Sequence, residues 1–307
     1  MKKVVLAGGG GNLGKALTRS FLSLGYQVVI LTRQNRPSSP EGVQFVQWDA
    51  VQLGEWVRHL EGADVLINLC GESIAKSLTE ANKQILWDSR IVPTRLLGEA
   101  IQQLHNPPAR WINLSGISIF ENIEGLHDEQ SNAVGATFLA QLSKAWEDAF
   151  RSCEVGETQK VIVRVSPVLT PKAGMFAELY PLVRYGLGGT VGSGKQFVSW
   201  IHEADFICLI HWVIATTNPA PIYHACSPHP ETNADFMAKF RHAVGIKMGL
   251  PLPTFLAKLG AWVKGVDDGL LLGSVAATSR SAINEGFQFT FPKLEEALHN
   301  LLDLKKH

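Results

Sequence analysis

Residues 4–33 read VVLAGGGGNLGKALTRSFLSLGYQVVILTR, the pattern of a strand, a glycine turn, an amphipathic helix and a second strand. Within this segment, Gly8, Gly11 and Gly14 are spaced as G-x-x-G-x-x-G. The first glycine permits a sharp turn, the second lets backbone N–H groups approach a pyrophosphate, and the third lets the helix pack tightly on the strand. The helix begins near Asn12, and its positive end would point at those phosphates.

The residues around the glycines favour a phosphate-binding turn over an ordinary structural one. Glycines also cluster in turns that bind nothing, so the triplet alone is weak evidence. Here an apolar strand pattern precedes it, and Gly25 ends the helix before residues 28–31 resume a buried strand. The apolar residues that follow at helical spacing are Leu13, Ala16, Leu17, Phe21 and Leu24. The segment therefore predicts a dinucleotide-binding opening.

The end of the second strand indicates which dinucleotide binds. An acidic residue there would accept hydrogen bonds from the ribose 2′-hydroxyl of NAD. This chain has Thr32 and Arg33, with Arg36 close behind and no acid before Glu41. A planar guanidinium can stack on adenine and pair with a 2′-phosphate, so we expect NADP as the cofactor. The alternative is that Arg33 is a solvated arginine at a strand end.

The composition argues against several classes of protein. A chain of 307 residues with 46% apolar and 18% charged residues can bury a large core. Its formal net charge of zero argues against nucleic acid or an anionic membrane as the main partner. The pattern of a signal peptide and an apolar stretch long enough to cross a bilayer are both absent, so we expect a cytoplasmic protein with reduced thiols and no metal. The four cysteines are too widely separated to suggest a zinc site or a disulfide framework: Cys70, Cys153, Cys208 and Cys226.

Strand and helix patterns alternate along the first half of the chain. After the opening, strands are predicted at 43–48, 64–69, 109–114 and 161–165, with helices over 78–104 and 136–153. This alternation predicts an α/β fold: an NAD(P)-binding Rossmann doubly wound parallel sheet, with a smaller, mostly helical C-terminal substrate domain. We expect the NADP-binding domain at residues 1–170, continued by about 198–226, and the substrate domain at 171–197 and 227–307.

Several segments occur in the order in which a known family has them. They lie at residues 8–14, 68–74, 89–90, 186–189, 192–196, 200–202 and 286–289. Together they resemble the atypical short-chain dehydrogenase/reductases described as epimerase family proteins, which are related to nucleotide-sugar epimerases. The resemblance covers nearly the whole chain, and residues 251–302 resemble the family's own C-terminal module. It implies NADP binding and a small-molecule substrate, with a sugar nucleotide as one candidate, more firmly than it implies a reaction.

The resemblance also implies which residues contact the cofactor. Thr32 and Arg33 would bind the adenosine phosphate end, Asp49 would contact adenine, and Arg90 would reach the cofactor from a helix. The remaining contacts would come from Leu69, Cys70, Gly71, Pro167 and Val168, together with Gly8, Gly11, Asn12, Leu13 and Gly14 of the glycine turn. Considered alone, Asp49 could cap a loop, Arg90 could lie on a solvated helix face, and Pro167 could merely end a strand.

The chain departs from typical short-chain dehydrogenases in its catalytic residues. Those enzymes use a Tyr-x-x-x-Lys pair on the helix after the fourth strand, in which the lysine lowers the tyrosine pKa. No tyrosine here has a lysine four residues later, and the corresponding helix has Lys144 without the tyrosine. The other candidate catalytic residues are Ser115, expected just after a strand, with Ser118 behind it, and Glu72, expected at the cleft mouth. Glu72 could instead cap a turn, and Lys144 could be a surface lysine.

Two functions of different classes remain open. The first is an NADP-dependent oxidoreductase or nucleotide-sugar epimerase, in which the cofactor performs the hydride chemistry. The second is a cofactor-binding redox sensor or partner-binding protein without efficient turnover, which the missing tyrosine favours. Lys195 resembles the position at which nucleotide-sugar enzymes grip the substrate diphosphate with an arginine, and a lysine weakens the case for that substrate. The polar loop at residues 121–132 is a candidate mobile lid over the cofactor.

Overall fold

A seven-stranded parallel sheet forms the centre of the structure. The computed structural model describes residues 2–34 and 40–306. In chain order the strands are β1 (Lys3–Ala7), β2 (Gln27–Thr32), β3 (Val43–Gln47), β4 (Val65–Asn68), β5 (Arg110–Gly116), β6 (Gln159–Val165) and β7 (Ile222–Ala225). Across the sheet they stand in the order β7-β6-β5-β4-β1-β2-β3. Strand β1 therefore lies between β2 and β4, and Val4 pairs with Val28 on one side and Val65 on the other.

Helices cover both faces of the sheet. Further helices form a separate group in the C-terminal part of the chain. The helices are α1 (Asn12–Ser23), α2 (Glu80–Gln102), α3 (Phe138–Arg151), α4 (Gly174–Arg184), α5 (Glu203–Ala215), α6 (Asn233–Val244), α7 (Thr254–Lys264), α8 (Gly269–Leu272), α9 (Arg280–Asn284) and α10 (Leu294–Lys306). Short 3-10 helices occupy Glu55–His59 and Ile117–Phe120. Two small sheets each consist of a pair of two-residue strands. One pairs Val168–Leu169 with Ile201–His202, and the other pairs Phe197–Val198 with Glu231–Thr232.

Two apolar layers sandwich the sheet, as a doubly wound fold requires. Leu17 and Phe21 of α1 are fully buried against one face, because their spacing puts both on the same side of the helix. Leu97 of α2 packs with Trp111 in the core on the other face. Since consecutive side chains of a strand point to opposite faces, strands buried on both sides read as continuous apolar runs. The predicted α/β fold is confirmed.

A further core lies in the helical C-terminal region. It contains buried side chains from α4, α6 and α10, among them Phe176, Phe236, Phe240, Leu298 and Leu301. The region is also tied to α5, where the buried carboxylate of Asp205 accepts hydrogen bonds from the backbone N–H groups of Thr290 (2.7 Å) and Phe291 (2.9 Å). The mostly helical character predicted for the C-terminal part is confirmed.

The structure corrects the predicted end of one strand. The apolar run ends at Leu114, and Ser115 was expected to follow the strand. The ladder continues, because Ser115 pairs with Arg164 and Gly116 with Val165. Backbone hydrogen bonds extend β5 through these residues whatever their side chains, so the end of the apolar run does not mark the end of the strand.

The segment at residues 121–132, which was predicted as a candidate mobile lid, is hydrogen-bonded to the C-terminal region. The N–H of His127 donates to the carbonyl of Ala276 (2.9 Å), and the N–H of Thr278 donates back to His127 (2.9 Å). The Glu129 carboxylate accepts hydrogen bonds from three backbone N–H groups, those of His224, Arg280 and Ser281, each at 3.0 Å. These contacts fix the segment to the C-terminal region. The polar residues of this segment suggested mobility. In the structure they include the Glu129 carboxylate, which accepts the hydrogen bonds that hold the segment in place.

Two further observations concern the described part of the chain. Over residues 2–34 and 40–306, no helix is long and apolar enough to cross a membrane, and no cluster of histidine, cysteine or acidic side chains is placed to hold a metal ion. Arg36, which was expected near the cofactor phosphate, lies outside the described residues.

Candidate cofactor-binding site

The glycine turn between β1 and α1 is built on close backbone approaches. Gly8 has a φ of 75°, and a Cβ there would lie 3.0 Å from atoms of Cys70. A Cβ on Gly14 would lie 2.2 Å from the carbonyl oxygen of Gly9, so only glycine lets α1 pack so closely on the turn. A Cβ on Gly11, by contrast, would meet nothing within 4 Å. The turn therefore leaves open space beside Gly11.

The N-terminus of α1 adjoins that open space without an acceptor of its own. Gly11 is the N-cap residue and makes no side-chain cap, and the first turn holds no acidic residue. The first N–H groups of a helix lack partners within it, and here they belong to Asn12, Leu13 and Gly14. With the helix dipole they favour an anion, so the residues present fit a pyrophosphate.

An ion pair lies across the sheet edge near this turn. Arg33 Nη2 is 3.8 Å from Glu72 Oε2, and the Arg33 side chain is 71% exposed. Arg33 follows β2 and Glu72 follows β4, the two neighbours of β1. Because β1 leads directly into the glycine turn, the pair lies at the edge where the adenosine half of a dinucleotide binds in such folds. Thr32 is buried and caps the turn after β2 by accepting from the N–H of Gln34 (3.2 Å).

Helix α2 fixes the backbone of Glu72. Its N–H donates to Ser89 Oγ (3.0 Å), and its carbonyl accepts from Arg90 Nη2 (3.0 Å). The carboxylate is 35% exposed, lies 3.9 Å from Lys76 Nζ, and accepts from the N–H of Ser73 (3.2 Å). The Glu72 carboxylate therefore lies between two cations and caps the following turn.

Arg90 is partly buried between α2 and the segment after β4. Its guanidinium donates to the carbonyl of Leu86 (3.1 Å) and lies 5.3 Å from the ring centre of Trp146. A Cβ on Gly71 would be 3.1 Å from Arg90 Cζ, so the glycine makes room for the arginine. Burial lowers the pKa of Arg90 to about 10, which leaves it charged at neutral pH. The alternative of a solvated helix position is wrong.

A buried polar network, which the sequence did not point to, holds the end of β4. The Asn68 amide donates to Asn113 Oδ1 (2.7 Å) and Thr94 Oγ1 (2.9 Å), and its oxygen accepts from the N–H of Cys70 (3.1 Å). Trp146 Nε1 also donates to Thr94 Oγ1 (2.9 Å). The network joins β4, β5, α2 and α3, and so sets the backbone path of residues 69–71. A polar residue ending an apolar strand was the only signal available in the sequence.

Residues 69–71 pass beside the glycine turn. The N–H of Leu69 donates to the carbonyl of Ala7 (2.8 Å), and Cys70 packs on Gly8. Burial raises the pKa of the Cys70 thiol to about 12, so the thiol stays protonated. This cysteine shapes the turn as a small apolar side chain.

The other predicted contacts follow β3 and β6. The Asp49 carboxylate accepts from the N–H groups of Gln52 (2.9 Å) and Val51 (2.8 Å), and these bonds lower its pKa. Asp49 thus caps a turn after β3, as its alternative interpretation supposed. After β6, Pro167 is exposed and its carbonyl accepts from the N–H of Ile201 (3.1 Å), while Val168 pairs with Ile201.

The three candidate catalytic residues have separate partners. Buried Ser115 donates to Glu147 Oε1 (3.0 Å), and Lys144 Nζ donates to Asp148 Oδ2 (2.5 Å) on the outside of α3. Glu72 lies beside Arg33 and Lys76, as described above. The hydroxyls of Ser118 and Ser143 are 3.0 Å apart.

A buried ion cluster lies under Ser115. Glu147 on α3 accepts from Arg164 on β6 through Nε (2.7 Å) and Nη2 (2.9 Å), and from Arg151 Nη2 (2.7 Å). The carboxylate is fully buried and Arg164 nearly so. In the sequence, the only indication of the Glu147–Arg164 pair is that each residue is a charge within an otherwise apolar pattern, that of α3 or that of β6. Because the Ser115 hydroxyl donates its hydrogen bond to Glu147, the lone pairs of the Ser115 oxygen can accept a hydrogen bond from another donor.

Two known families match this chain. Residues 4–226 match the NAD dependent epimerase/dehydratase family, and residues 252–301 match a domain of unknown function, DUF1731. The chain belongs to the NAD dependent epimerase/dehydratase family. The resemblance inferred from the sequence motifs is confirmed, and its C-terminal module corresponds to the second match.

Known members of the family resemble the chain over nearly its full length. An epimerase family protein of Mycobacterium tuberculosis is 34% identical over 96% of both chains. The crystal structure of human epimerase family protein SDR39U1 (isoform2) with NADPH has a TM-score of 0.86 at 28% identity and covers 98% of this chain and 99% of its own. The nucleoside-diphosphate sugar epimerase of Corynebacterium glutamicum has a TM-score of 0.77 at 25% identity, and the match covers 98% of this chain and 58% of that one.

Proposed function

We propose that this chain binds NADP(H) and transfers hydride between that cofactor and a small-molecule substrate, as an oxidoreductase or epimerase of its family. The observation that carries the cofactor preference is Arg33 at the end of β2, where an acidic residue would select NAD. Its guanidinium is mostly exposed at the sheet edge beside the glycine turn, where a 2′-phosphate could pair with it. The NADPH in the structure of human SDR39U1 supports the same preference.

The residues proposed to hold the cofactor follow β1, β2, β3, β4 and β6, with Arg90 added from α2. The N–H groups of Asn12, Leu13 and Gly14 bind the pyrophosphate beside Gly8 and Gly11, and Thr32, Arg33 and Asp49 bind the adenosine end. The cleft wall comes from Leu69, Cys70, Gly71, Arg90, Pro167 and Val168. Bound NADP(H) supplies the hydride donor or acceptor.

Two residues are proposed to handle the substrate oxygen. Ser115 donates its hydroxyl hydrogen bond to Glu147, so Ser115 Oγ is free to accept a hydrogen bond from a substrate hydroxyl. Lys144 contributes positive charge. Glu72, the third candidate, lies beside Arg33 at the adenosine end and is therefore not proposed to exchange the proton. A nucleoside-diphosphate sugar is the first substrate class to test, given the C. glutamicum relative, with exposed Lys195 as its diphosphate contact.

One observation favours a second candidate function, an NADP(H) sensor without efficient turnover. Where a typical short-chain dehydrogenase has its tyrosine, four residues before the lysine, this chain has buried Ala140. Lys144 itself is paired with Asp148. A chain with a complete cofactor cleft and no phenol beside it could report the state of the NADP(H) pool through its conformation.

Fluorescence titration with NADPH and NADH tests the cofactor proposal. NADPH should bind at least about tenfold more tightly, which is about 1.4 kcal/mol. Gly11→Asp should abolish binding, because it puts a carboxylate into the anion site without touching other atoms. Gly54→Asp is the matched control, since a Cβ there meets only Trp56 at 3.7 Å. If wild-type protein binds neither dinucleotide, both candidate functions are wrong.

A turnover assay then separates the two functions. Protein loaded with NADP(H) is incubated with a panel of nucleoside-diphosphate sugars and simple carbonyl compounds. Oxidation of NADPH, or a sugar epimer detected by NMR while the cofactor is regenerated, supports the enzyme. Tight binding with neither change supports the sensor.

A further inference from the structure

Each oxygen of the Glu72 carboxylate lies near a different cation. Glu72 Oε2 is 3.8 Å from Arg33 Nη2, which follows β2, and Oε1 is 3.9 Å from Lys76 Nζ, on the same segment as Glu72 itself. Charge-assisted hydrogen bonds between such groups are about 2.7–2.9 Å long, so both contacts are ion pairs without a hydrogen bond. These contacts leave the donors of both cations available to another anion.

The segment that carries Glu72 and Lys76 is fixed at its backbone. Hydrogen bonds from α2 hold Glu72, and the carbonyl of Lys76 accepts from the N–H of Asp267 after α7 (3.2 Å). Arg90, a further cation beside Glu72, is committed to backbone carbonyls. Arg33 is 71% exposed and meets Glu72 across an exposed ion pair, a contact that contributes little in water. Arg33 is therefore the cation of this cluster that can turn toward a ligand.

The charges of this cluster act on a 2′-phosphate in opposite directions. A phosphate monoester carries about −1.5 to −2 charges at pH 7 and can accept two parallel hydrogen bonds from the Arg33 guanidinium. Once Arg33 pairs with the phosphate, Glu72 has lost one partner and its negative charge repels the ligand. Lys76 is then the cation that remains beside the Glu72 carboxylate and offsets its charge.

We propose that Glu72 competes with the 2′-phosphate of NADP(H) for Arg33, and that Lys76 neutralises Glu72 once Arg33 has turned to the phosphate. The proposal rests on the proposed function, because it takes NADP(H) as the ligand of this sheet edge. Glu72 thus lowers the affinity for NADP(H) and not that for NAD(H), which has no 2′-phosphate. Lys76 is a positioning residue that acts through Glu72 and does not touch the cofactor. Together the three side chains set how strongly the protein prefers NADP(H).

Glu72→Gln tests the competition by fluorescence titration with NADPH and NADH at about 0.15 M salt. Glutamine keeps an oxygen that can accept from the N–H of Ser73 (3.2 Å), so the substitution removes chiefly the charge. NADPH affinity should rise about three- to tenfold, as expected for the loss of an exposed ion pair and of a like charge, and NADH affinity should stay as in wild type. Glu80→Gln is the matched control, because Glu80 pairs with Lys83 (2.8 Å) at the start of α2, and it should change neither affinity.

Lys76→Gln tests the second half of the proposal in two backgrounds. In the wild-type background NADPH affinity should fall about threefold, because Glu72 loses the cation that offsets its charge. In the Glu72→Gln background the same substitution should have no effect, because no carboxylate is left to neutralise. Lys83→Gln is the matched control and should change NADPH affinity in neither background. Circular dichroism checks that each variant is folded.

Three outcomes would overturn the competition and leave the proposed function standing. Wild-type protein that prefers NADPH, with no gain of affinity in Glu72→Gln, would show that Glu72 does not compete for Arg33. Weaker binding of NADPH and NADH alike in Glu72→Gln would assign Glu72 to a ribose hydroxyl that both dinucleotides share. An equal effect of Lys76→Gln in both backgrounds would place Lys76 on the phosphate itself. Wild-type protein that binds neither dinucleotide would instead overturn the proposed function, and this proposal with it.

Discussion

Arg33 is the residue on which the proposed preference for NADP over NAD depends. Its guanidinium pairs with Glu72 over 3.8 Å in an exposed setting, and such pairs contribute about 0.2–1 kcal/mol. A phosphate offers a planar guanidinium two parallel, charge-assisted hydrogen bonds, which are stronger than that contact. A 2′-phosphate can therefore replace the carboxylate of Glu72 at little cost.

Arg33→Asp should change the preference of the protein from NADPH to NADH. The new carboxylate repels the 2′-phosphate and accepts a hydrogen bond from a ribose hydroxyl, so NADPH affinity should fall by about 30-fold or more while NADH affinity rises. Fluorescence titration with each dinucleotide measures both changes. Arg58→Asp, at another exposed arginine, should leave the ratio of the two affinities as in wild type. An unchanged ratio in Arg33→Asp would mean that the 2′-phosphate binds elsewhere.

Helix α3 is the element that joins the cofactor cleft to the sheet core. It carries Lys144 on its outer side and Glu147 on its inner side, where Glu147 binds Arg164 of β6 and Ser115 of β5. A buried carboxylate with two arginines is stable only while each charge keeps its partner. Glu147 is therefore the charged side chain that ties α3 to both β5 and β6.

Glu147→Gln should lower the free energy of unfolding by about 3–5 kcal/mol, because it leaves the buried Arg164 guanidinium without its counter-charge. Urea denaturation followed by tryptophan fluorescence measures the loss. Asp148→Asn is the control on the next residue of the helix. It removes an exposed acid that pairs with Lys144 and Arg151, and should cost less than about 1 kcal/mol. Equal effects of the two substitutions would show that the buried pair is not what holds α3.

The sequence predicts elements that repeat a local pattern and misses contacts between distant residues. The strand–turn–helix–strand of residues 4–33 and the long helix α2 follow from spacing, because the pattern and the element have the same period. Nothing local connects Asn68 with Asn113, or Glu147 with Arg164, so their pairing emerges only from the sheet register. Apolar residues in α7 predict burial, whereas the structure leaves them exposed.

At the scale of the whole molecule, buried histidines make stability depend on pH. Burial lowers the pKa of His202 to about 4, and burial with the nearby Arg164 charge lowers that of His224 to about 3. In the unfolded chain a histidine titrates near 6.5. Below that pH the unfolded state binds protons that the folded state does not, so stability is complete above pH 6.5 and falls as the pH falls.

As the pH falls from 6.5 to 5, each of these histidines should lower the free energy of unfolding by about 2 kcal/mol. Urea denaturation at a series of pH values measures the slope. His202→Asn should reduce the loss by about half, since asparagine can still cap α5 at the position where His202 accepts from the N–H of Ala204. His229→Asn, at an exposed site, should leave the slope unchanged. A flat profile in wild-type protein would contradict this account.

The contacts that fix residues 121–132 can form only after the C-terminal region has been synthesised. Asn122 donates its N–H to the carbonyl of Ser274 (2.8 Å) and accepts from the Ser274 N–H (3.0 Å), across 152 positions of the chain. Chains are made from the N-terminus at about 5–20 residues per second, so this segment and the Asp205 carboxylate wait several seconds for their partners. Until residues 274–291 are made, Asn122 and Asp205 lack the backbone groups to which they bind in the folded protein. A ribosome that stalls before residue 274 would therefore release a chain that chaperones and proteases can recognise.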